Sequence, residues 1–236
     1  VSANGRFPKN GIEEFEKFSK ETGIKIIEDA AQSLGSFYQD GRHIGLAGQI
    51  GSFSFSMPKI ITTGQGGALI TNDNELAMKI RRLKDFGRDS GGNDIHASIG
   101  YNFKFTELQA CIGIEQMKKL KNRVQRKKEI WARYFEQLNN IEEVILFKHD
   151  LNFTSPWFID CIAENRNKLM DFLNSKNIGT RVMYPPINEQ KAYSIKGDFS
   201  VSKMIGEKGL WLPSFVQLSD DQIDYICKCI KKFYKY

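Results

Sequence analysis

The first half of the chain alternates between hydrophobic spacing typical of helices and spacing typical of strands. Apolar residues recur at helical spacing over residues 10–22 and 74–86, which predicts an amphipathic helix in each segment. Residues 24–27 form a β-branched run, residues 52–56 alternate between Ser and Phe, and residues 68–71 form another largely apolar run, so each predicts a strand. This alternation predicts an α/β fold.

The second half of the chain begins with two long amphipathic helices. Thr106 is the predicted N-cap of the first, and the second follows a basic stretch over residues 118–128. Further strands are predicted at 144–147, 157–163 and 180–183, and further helices at 166–175 and 220–236, with a proline turn and a loop before the last helix. We therefore expect an α/β domain over residues 1–119 and a small α+β domain over residues 120–236.

The composition is that of an ordinary globular protein. The chain has 236 residues, a net charge of +6 and 41% hydrophobic residues, which excludes disordered and fibrous proteins. No apolar run approaches the roughly 20 residues that a membrane span needs, so we expect no integral membrane protein. The charge also allows a nucleic-acid-binding module, but no aromatic stacking platforms are interleaved with the basic residues 118–128, which favours a solvated helix face.

Cysteine and histidine usage indicates neither disulfides nor a metal site. The four cysteines lack the spacing of a disulfide framework or a zinc site, and the three histidines lack metal-ligand spacing. The cysteines are Cys111, Cys161, Cys227 and Cys229. We therefore expect no bound metal and a cytoplasmic, reducing location.

Two residues stand at the ends of neighbouring predicted strands. Asp29 follows one strand, at the edge where open α/β sheets bind ligands, and Lys59 follows the next, before a glycine-rich turn. Taken singly, Asp29 would be expected to cap a turn and Lys59 to lie on the surface. Together, a carboxylate and a lysine amine in one crevice suit pyridoxal phosphate (PLP) chemistry, one of several chemistries that the pair allows.

Five segments closely resemble the DegT/StrS family of sugar aminotransferases and together span nearly the whole chain. They are residues 26–35, 51–68, 100–110, 179–186 and 210–213. Their order and spacing make the resemblance specific. It implies the fold of fold-type-I PLP-dependent transferases, with an incomplete, mostly parallel sheet. Residues 1–119 would be the remaining part of the PLP-binding large domain, and residues 120–236 would be the small domain.

The resemblance also implies roles for individual residues. Lys59 would form the Schiff base with pyridoxal 5′-phosphate, and Asp29 would pair with the pyridine nitrogen. Gln32 would hydrogen-bond the side of the cofactor that carries the phenolic oxygen. Ser54 would bind the phosphate, and its alternative role is that of an inward polar residue in an alternating strand.

Two further residues match family positions beyond this group. Asn102 resembles the residue that reaches the phosphate of the neighbouring subunit's cofactor, which implies a homodimer with composite sites. Lys104 stands where Arg is common and would face the substrate, with a solvated surface lysine as the alternative. Ser56, Gln65 and Asn188 depart from the family pattern, and these departures bear on the identity of the substrate.

The reaction that the resemblance implies is amination of a nucleotide-linked keto sugar, for polysaccharide or glycan biosynthesis, with glutamate as the expected amino donor. Family members that act as dehydratases carry His in place of the lysine, so Lys59 favours transamination. The sequence around Lys59 and over residues 91–105 is most similar to members that aminate C4, the perosamine synthases. The net charge of +6 suits an anionic substrate.

The chain opens on Val-Ser-Ala-Asn-Gly, a start that resembles the middle of a family member. In the family, the preceding segment supplies a phosphate-binding turn at a helix N-terminus and an aromatic residue that stacks on the cofactor ring. An N-terminally truncated chain is therefore expected to bind PLP weakly or not at all. The alternative to an enzyme is a non-catalytic member of the same fold that acts as a regulator or scaffold.

Overall fold

The computed structural model describes residues 1–8, 11–92, 94–193 and 195–236. The helices in this part of the chain are α1 (Glu13–Thr22), α2 (Asn74–Lys84), α3 (Glu107–Lys118), α4 (Leu120–Leu138), α5 (Arg166–Asn174), α6 (Ser200–Lys208) and α7 (Asp220–Tyr234). The strands are β1 (Ile27–Asp29), β2 (Ile50–Ser54), β3 (Gly67–Ile70), β4 (Val144–Leu146), β5 (Ile159–Ala163), β6 (Arg181–Val182) and β7 (Gly209–Leu212). Most lie where the hydrophobic pattern predicts them, and residue 10 of the first predicted helix lies outside the described residues.

The chain forms two compact units. The first comprises Val1–Val124 and Asp150–Trp157, and the second comprises Gln125–His149 and Phe158–Tyr236. Compared with the predicted domains, the first unit also contains the segment 150–157, which returns to it from the second half of the chain. The assignment of these regions as a cofactor domain and a small domain stays a prediction.

The sheet of the first unit has the strand order β1-β2-β3. β1 and β2 are parallel, with Asp29 opposite Ser52, whereas β2 and β3 are antiparallel. The sheet is therefore mixed and belongs to an α/β unit, as the alternating pattern predicts. Because β1 and β2 run in the same direction, the residues that follow both strands emerge at the same edge of the sheet.

Glu28 orders the loop beside β1. Successive residues of a strand point to opposite faces, so Glu28 is buried while Asp29 is exposed. The Glu28 carboxylate accepts a hydrogen bond of 2.5 Å from the Tyr38 hydroxyl and three of 2.5 to 2.8 Å from backbone N–H groups in residues 45–48. These four donors compensate for the burial of the carboxylate and hold the loop against the sheet.

Side-chain caps fix the starts of two helices. The predicted N-cap Thr106 is confirmed: its hydroxyl accepts from the backbone N–H of Gln109, and the Gln109 side chain accepts in return from the backbone of Thr106. Ser219 and Gln222 form the same reciprocal arrangement at the start of α7. Such pairs satisfy backbone groups that have no partner inside the helix.

The second unit contains a four-stranded antiparallel sheet with the order β4-β5-β7-β6. The expected loop between the proline turn and the last helix is wrong in part, because α6 and β7 lie there. All four residues of β7 are buried, so its sequence lacks the alternation that reveals a half-buried strand. The helix α6 spans nine residues, none of them buried.

Two helices of the second unit, α4 and α7, bury apolar side chains along their length. Ile130, Tyr134 and Leu138 of α4 are fully buried, as are Ile223 and Ile230 of α7.

Across the ranges that the structure describes, no helix combines the length and the apolar character needed to cross a membrane.

Candidate active site

A small pocket in the first unit gathers several of the predicted site residues. Its lining consists of Ala31, Gln32, Leu34, Ser54, Lys59, Ile60, Ser155 and Trp157, and we call it the Lys59 pocket. Three predicted residues, Gln32, Ser54 and Lys59, therefore share one pocket. They meet because β1 and β2 are parallel, so the chain beyond each strand leaves the sheet at one edge.

The Lys59 amine lies against an aromatic ring. Its Nζ is 4.0 Å from the ring centroid of Trp157. Burial lowers the pKa of Lys59, and the negative charge of Asp29 acts in the opposite direction. A lowered pKa increases the fraction of neutral amine, which is the form that acts as a nucleophile or a base.

Asp29 ends β1 and is exposed at its carboxyl end. Its Oδ1 accepts a hydrogen bond of 3.0 Å from the backbone N–H of Ala31, a lining residue of the Lys59 pocket. The carboxylate therefore caps the turn after β1, and it also lies near enough for its charge to act on the Lys59 amine. Turn capping and a functional role are compatible here, because the turn fixes the carboxylate beside the pocket.

Gln32 and Ser54 are held by neighbouring polar groups. The Oε1 of Gln32 accepts a hydrogen bond of 2.8 Å from the backbone N–H of Asn4. The Oγ of Ser54 lies 3.1 Å from the Oγ of Ser56 and accepts from the Ser56 backbone N–H at 3.3 Å. The pocket thus contains the Gln32 side-chain amide and the Ser54 hydroxyl, and Ser56 contacts Ser54 from outside the pocket lining.

Asn102 and Lys104 are not among the residues that line the Lys59 pocket. Asn102 is exposed and forms an isolated antiparallel bridge with Asp85. The Nζ of Lys104 lies 3.0 Å from Oδ1 of the same Asp85 and 4.9 Å from the ring centroid of Phe86. Arg88 and Lys104 hold the pKa of the Asp85 carboxyl below its usual value. A role in substrate binding for Lys104 stays a prediction.

Segment 150–157 supplies two pocket residues that sequence reasoning did not place there. Trp157 was expected to begin a strand, but β5 begins at Ile159 and Trp157 lines the Lys59 pocket instead. Ser155 is buried, and its Oγ has no hydrogen-bond partner among the described residues. Pro156, immediately before Trp157, agrees with the later start of β5, but no local pattern places Trp157 beside Lys59.

The side chains at this pocket fit PLP. An amine, a nearby carboxylate and serine hydroxyls complement the aldehyde, the pyridine nitrogen and the phosphate of this cofactor. The Ser155 hydroxyl is a buried polar group that still lacks a protein partner in the described chain, and such groups cost free energy unless water or a ligand pairs with them. Lys59, Asp29 and Ser54 are the residues that would hold the cofactor.

Solved structures identify the class of protein to which this fold belongs. A DegT DnrJ EryC1 StrS aminotransferase from Brucella abortus matches the whole chain with a TM-score of 0.90 at 28% identity, and the match covers 64% of that protein. DesV from S. venezuelae matches with the same TM-score of 0.90 at 26% identity, again over the whole chain and 64% of DesV. The fold is therefore that of the sugar aminotransferases.

Sequence comparison identifies the family. The profile of the DegT/DnrJ/EryC1/StrS aminotransferase family matches residues 4–231, and the chain belongs to this family. It is 34% identical over 227 residues to a GDP-perosamine synthase of Escherichia coli O157:H7, and 30% identical over 231 residues to one of Vibrio cholerae. These alignments cover 94% of this chain but 62% and 63% of the relatives, so the chain spans less than two thirds of their length.

Proposed function

We propose that the protein acts in a PLP-dependent transamination that transfers an amino group from glutamate to a nucleotide-linked keto sugar. The observation that carries this proposal is the pocket in which the Lys59 amine, with a lowered pKa, lies near the Asp29 carboxylate and the Ser54 hydroxyl. Membership of an aminotransferase family supports the same reaction class.

Each pocket residue has a task that follows from its chemistry. Bound PLP would supply an electron sink that stabilises negative charge at the carbon bonded to the migrating amino group. Lys59 would hold the cofactor. As a free amine, it would move a proton between the carbon that bears the amino group and the C4′ carbon of the cofactor. Asp29 would keep a proton on the pyridine nitrogen, while Gln32 and Ser54 would fix the orientation of the ring and the phosphate.

The relatives support the substrate class that we propose. Two relatives at 34% and 30% identity are GDP-perosamine synthases, so we propose a GDP-linked 4-keto sugar as the first substrate to test. The net charge of +6 is compatible with an anionic nucleotide substrate. The chain is also 28% identical to a sugar 3-dehydratase from Saccharopolyspora spinosa. The presence of Lys59 favours amination over dehydration.

A homodimer with shared sites is part of this proposal. Asn102 is exposed and lies outside the pocket lining of its own chain, as a residue that serves a neighbouring subunit would. Large apolar side chains near it in the sequence, Tyr101, Phe103 and Leu108, are also exposed. A second copy would cover this apolar surface.

Chemical trapping tests the cofactor assignment. The full chain is incubated with a large excess of PLP, because weak binding is expected, then reduced with borohydride and digested for mass spectrometry. We expect the pyridoxyl group on Lys59, no adduct at that site in Lys59→Arg, and an unchanged adduct in Lys25→Arg, which removes an exposed lysine.

Activity is then measured with glutamate and a GDP-linked 4-keto sugar, and Lys59→Ala should abolish formation of the amino sugar. Amination retained by Lys59→Ala would contradict the assignment. A folded chain that takes no PLP on Lys59 would favour the alternative of a non-catalytic regulator or scaffold.

A further inference from the structure

Trp157 lines the Lys59 pocket although it is distant from Lys59 in the sequence. It lies 99 positions beyond Pro58, in the segment 150–157 that returns to the first unit. Its side chain is 6% exposed, so the indole is part of the packed interior. None of the segments that carry the family resemblance includes this residue.

Two hydrogen bonds fix the position of this tryptophan. The indole Nε1–H donates to the carbonyl oxygen of Pro58 at 2.7 Å, directly before Lys59 in the chain. The backbone N–H of Trp157 donates to Oδ1 of Asn4 at 2.8 Å. The ring is therefore anchored to the same turn that carries Lys59.

The face of this anchored ring is occupied by the Lys59 amine. With Nζ 4.0 Å from the ring centroid, the geometry is that of a cation–π contact. A lysine side chain has four flexible carbon–carbon bonds and loses substantial rotamer freedom when its end is held in one place. Contact with the Trp157 indole therefore restricts the end of the Lys59 side chain to the pocket side of the turn.

We propose that Trp157 is a positioning residue that holds the Lys59 amine at the pocket. The proposal rests on the role of Lys59 in the proposed transamination, because it concerns the amine that would bond to the cofactor. Whenever that bond is absent, the indole face keeps the free amine beside the pocket, next to the Asp29 carboxylate that also acts on it. The alternative is a tryptophan that only fills space.

Nuclear magnetic resonance of the cofactor-free full chain tests the contact directly. Protons above an aromatic ring are shielded, so the Hε protons of Lys59 should resonate upfield of those of the other lysines in protein labelled with ¹³C at lysine Cε. The signal is assigned by its loss in Lys59→Arg. Nuclear Overhauser contacts between these protons and the Trp157 indole are expected in the wild type.

Three variants separate positioning from packing. In Trp157→Leu the upfield displacement should disappear, and in Trp157→Phe it should shrink, because the smaller ring loses the Nε1–H bond to Pro58. The control Trp131→Phe, in the second unit, should leave the Lys59 signal unchanged. If Trp157→Leu does not fold, the Phe variant and the wild-type contacts still decide the question.

PLP trapping supplies the second measurement. Borohydride-trapped PLP on Lys59 should fall several-fold in Trp157→Leu and less in Trp157→Phe. An ordinary Lys59 signal in the wild type, or trapping at wild-type level in Trp157→Leu, would overturn the positioning role. Absence of trapping in the wild type, with an upfield Lys59 signal that depends on Trp157, would instead count against the proposed function and leave the contact itself established.

Discussion

The two units of this protein differ in how far their helices bury apolar side chains. In the first unit, α1, α2 and α3 contain no buried residue, and apolar side chains such as Leu108 and Ile114 of α3 are exposed. In the second unit, α4 and α7 bury several large side chains each. The residues with candidate chemistry lie in the first unit, whose buried apolar cluster of Ile12, Ala30, Tyr38 and Ile44 lies outside its helices. The second unit derives its order from apolar packing.

The largest effect should come from the apolar interior of the second unit. Leu138→Ala removes a fully buried side chain of α4 and should lower the free energy of unfolding by about 2–5 kcal/mol. Leu108→Ala, on the exposed face of α3, should change it by less than about 0.5 kcal/mol in the monomer. Urea unfolding followed by far-ultraviolet circular dichroism, which reports the helices of both units, measures the two changes.

This pair also tests the contrast between the units. If Leu108→Ala destabilises the protein as strongly as Leu138→Ala, and more so at higher protein concentration, the face of α3 is buried in an assembly. Similar small effects of both substitutions would contradict the packing argument for the second unit.

A buried lysine should make the stability of the second unit depend on pH in the alkaline range. The Lys127 ammonium donates to the carbonyl oxygen of Ser214, and burial lowers its pKa to about 8 from the usual 10.5. The unfolded chain binds this proton more tightly, so the contribution to stability is full above pH 10.5 and is lost as the pH falls through about 8. A shift of this size corresponds to at most about 3 kcal/mol.

Urea unfolding at pH 8 and at pH 10 measures this contribution. Stability should rise between the two values by more in the wild type than in Lys127→Met, in which this titration is absent while the other titrating groups remain. Equal changes in the two proteins would show that Lys127 has an ordinary pKa.

The hydrogen-bonded loop of the first unit should give a smaller effect. Glu28→Gln replaces an acceptor that serves Tyr38 and residues 45–48, and we expect it to cost about 1–3 kcal/mol. Glu21→Gln, which removes an exposed ion pair with Lys17, is the matched control and should cost less than about 0.5 kcal/mol. Hydrogen exchange should show faster exchange of the backbone N–H groups of residues 45–48 in Glu28→Gln alone.

Much of the fold was predictable because local patterns carry it. The alternation over residues 52–56 and the acceptor at Thr106 depend on neighbours in the chain, and both lead to elements near the expected places. The element β7 was missed because a strand buried on both faces shows no alternation. Its identity depends on pairing with β5 and β6, which are remote in sequence.

Part of the candidate site could also be predicted from the sequence. Asp29 and Lys59 follow strands that the sequence reveals, and family resemblance added Gln32 and Ser54. Trp157 was not found because its partner Lys59 lies nearly one hundred positions away and the chain between them returns from another unit. No local pattern records such a contact.

The sequence by itself determined the α/β class, the family and the residue types available for amine chemistry, because these are properties of local order and composition. Only the tertiary structure decided which side chains meet. It placed Gln32, Ser54 and Lys59 in one pocket, left Lys104 paired with Asp85, and brought Trp157 against the Lys59 amine. The physical reason is that burial and long-range contacts depend on how distant segments pack, and the same residue types elsewhere in a chain would be solvated.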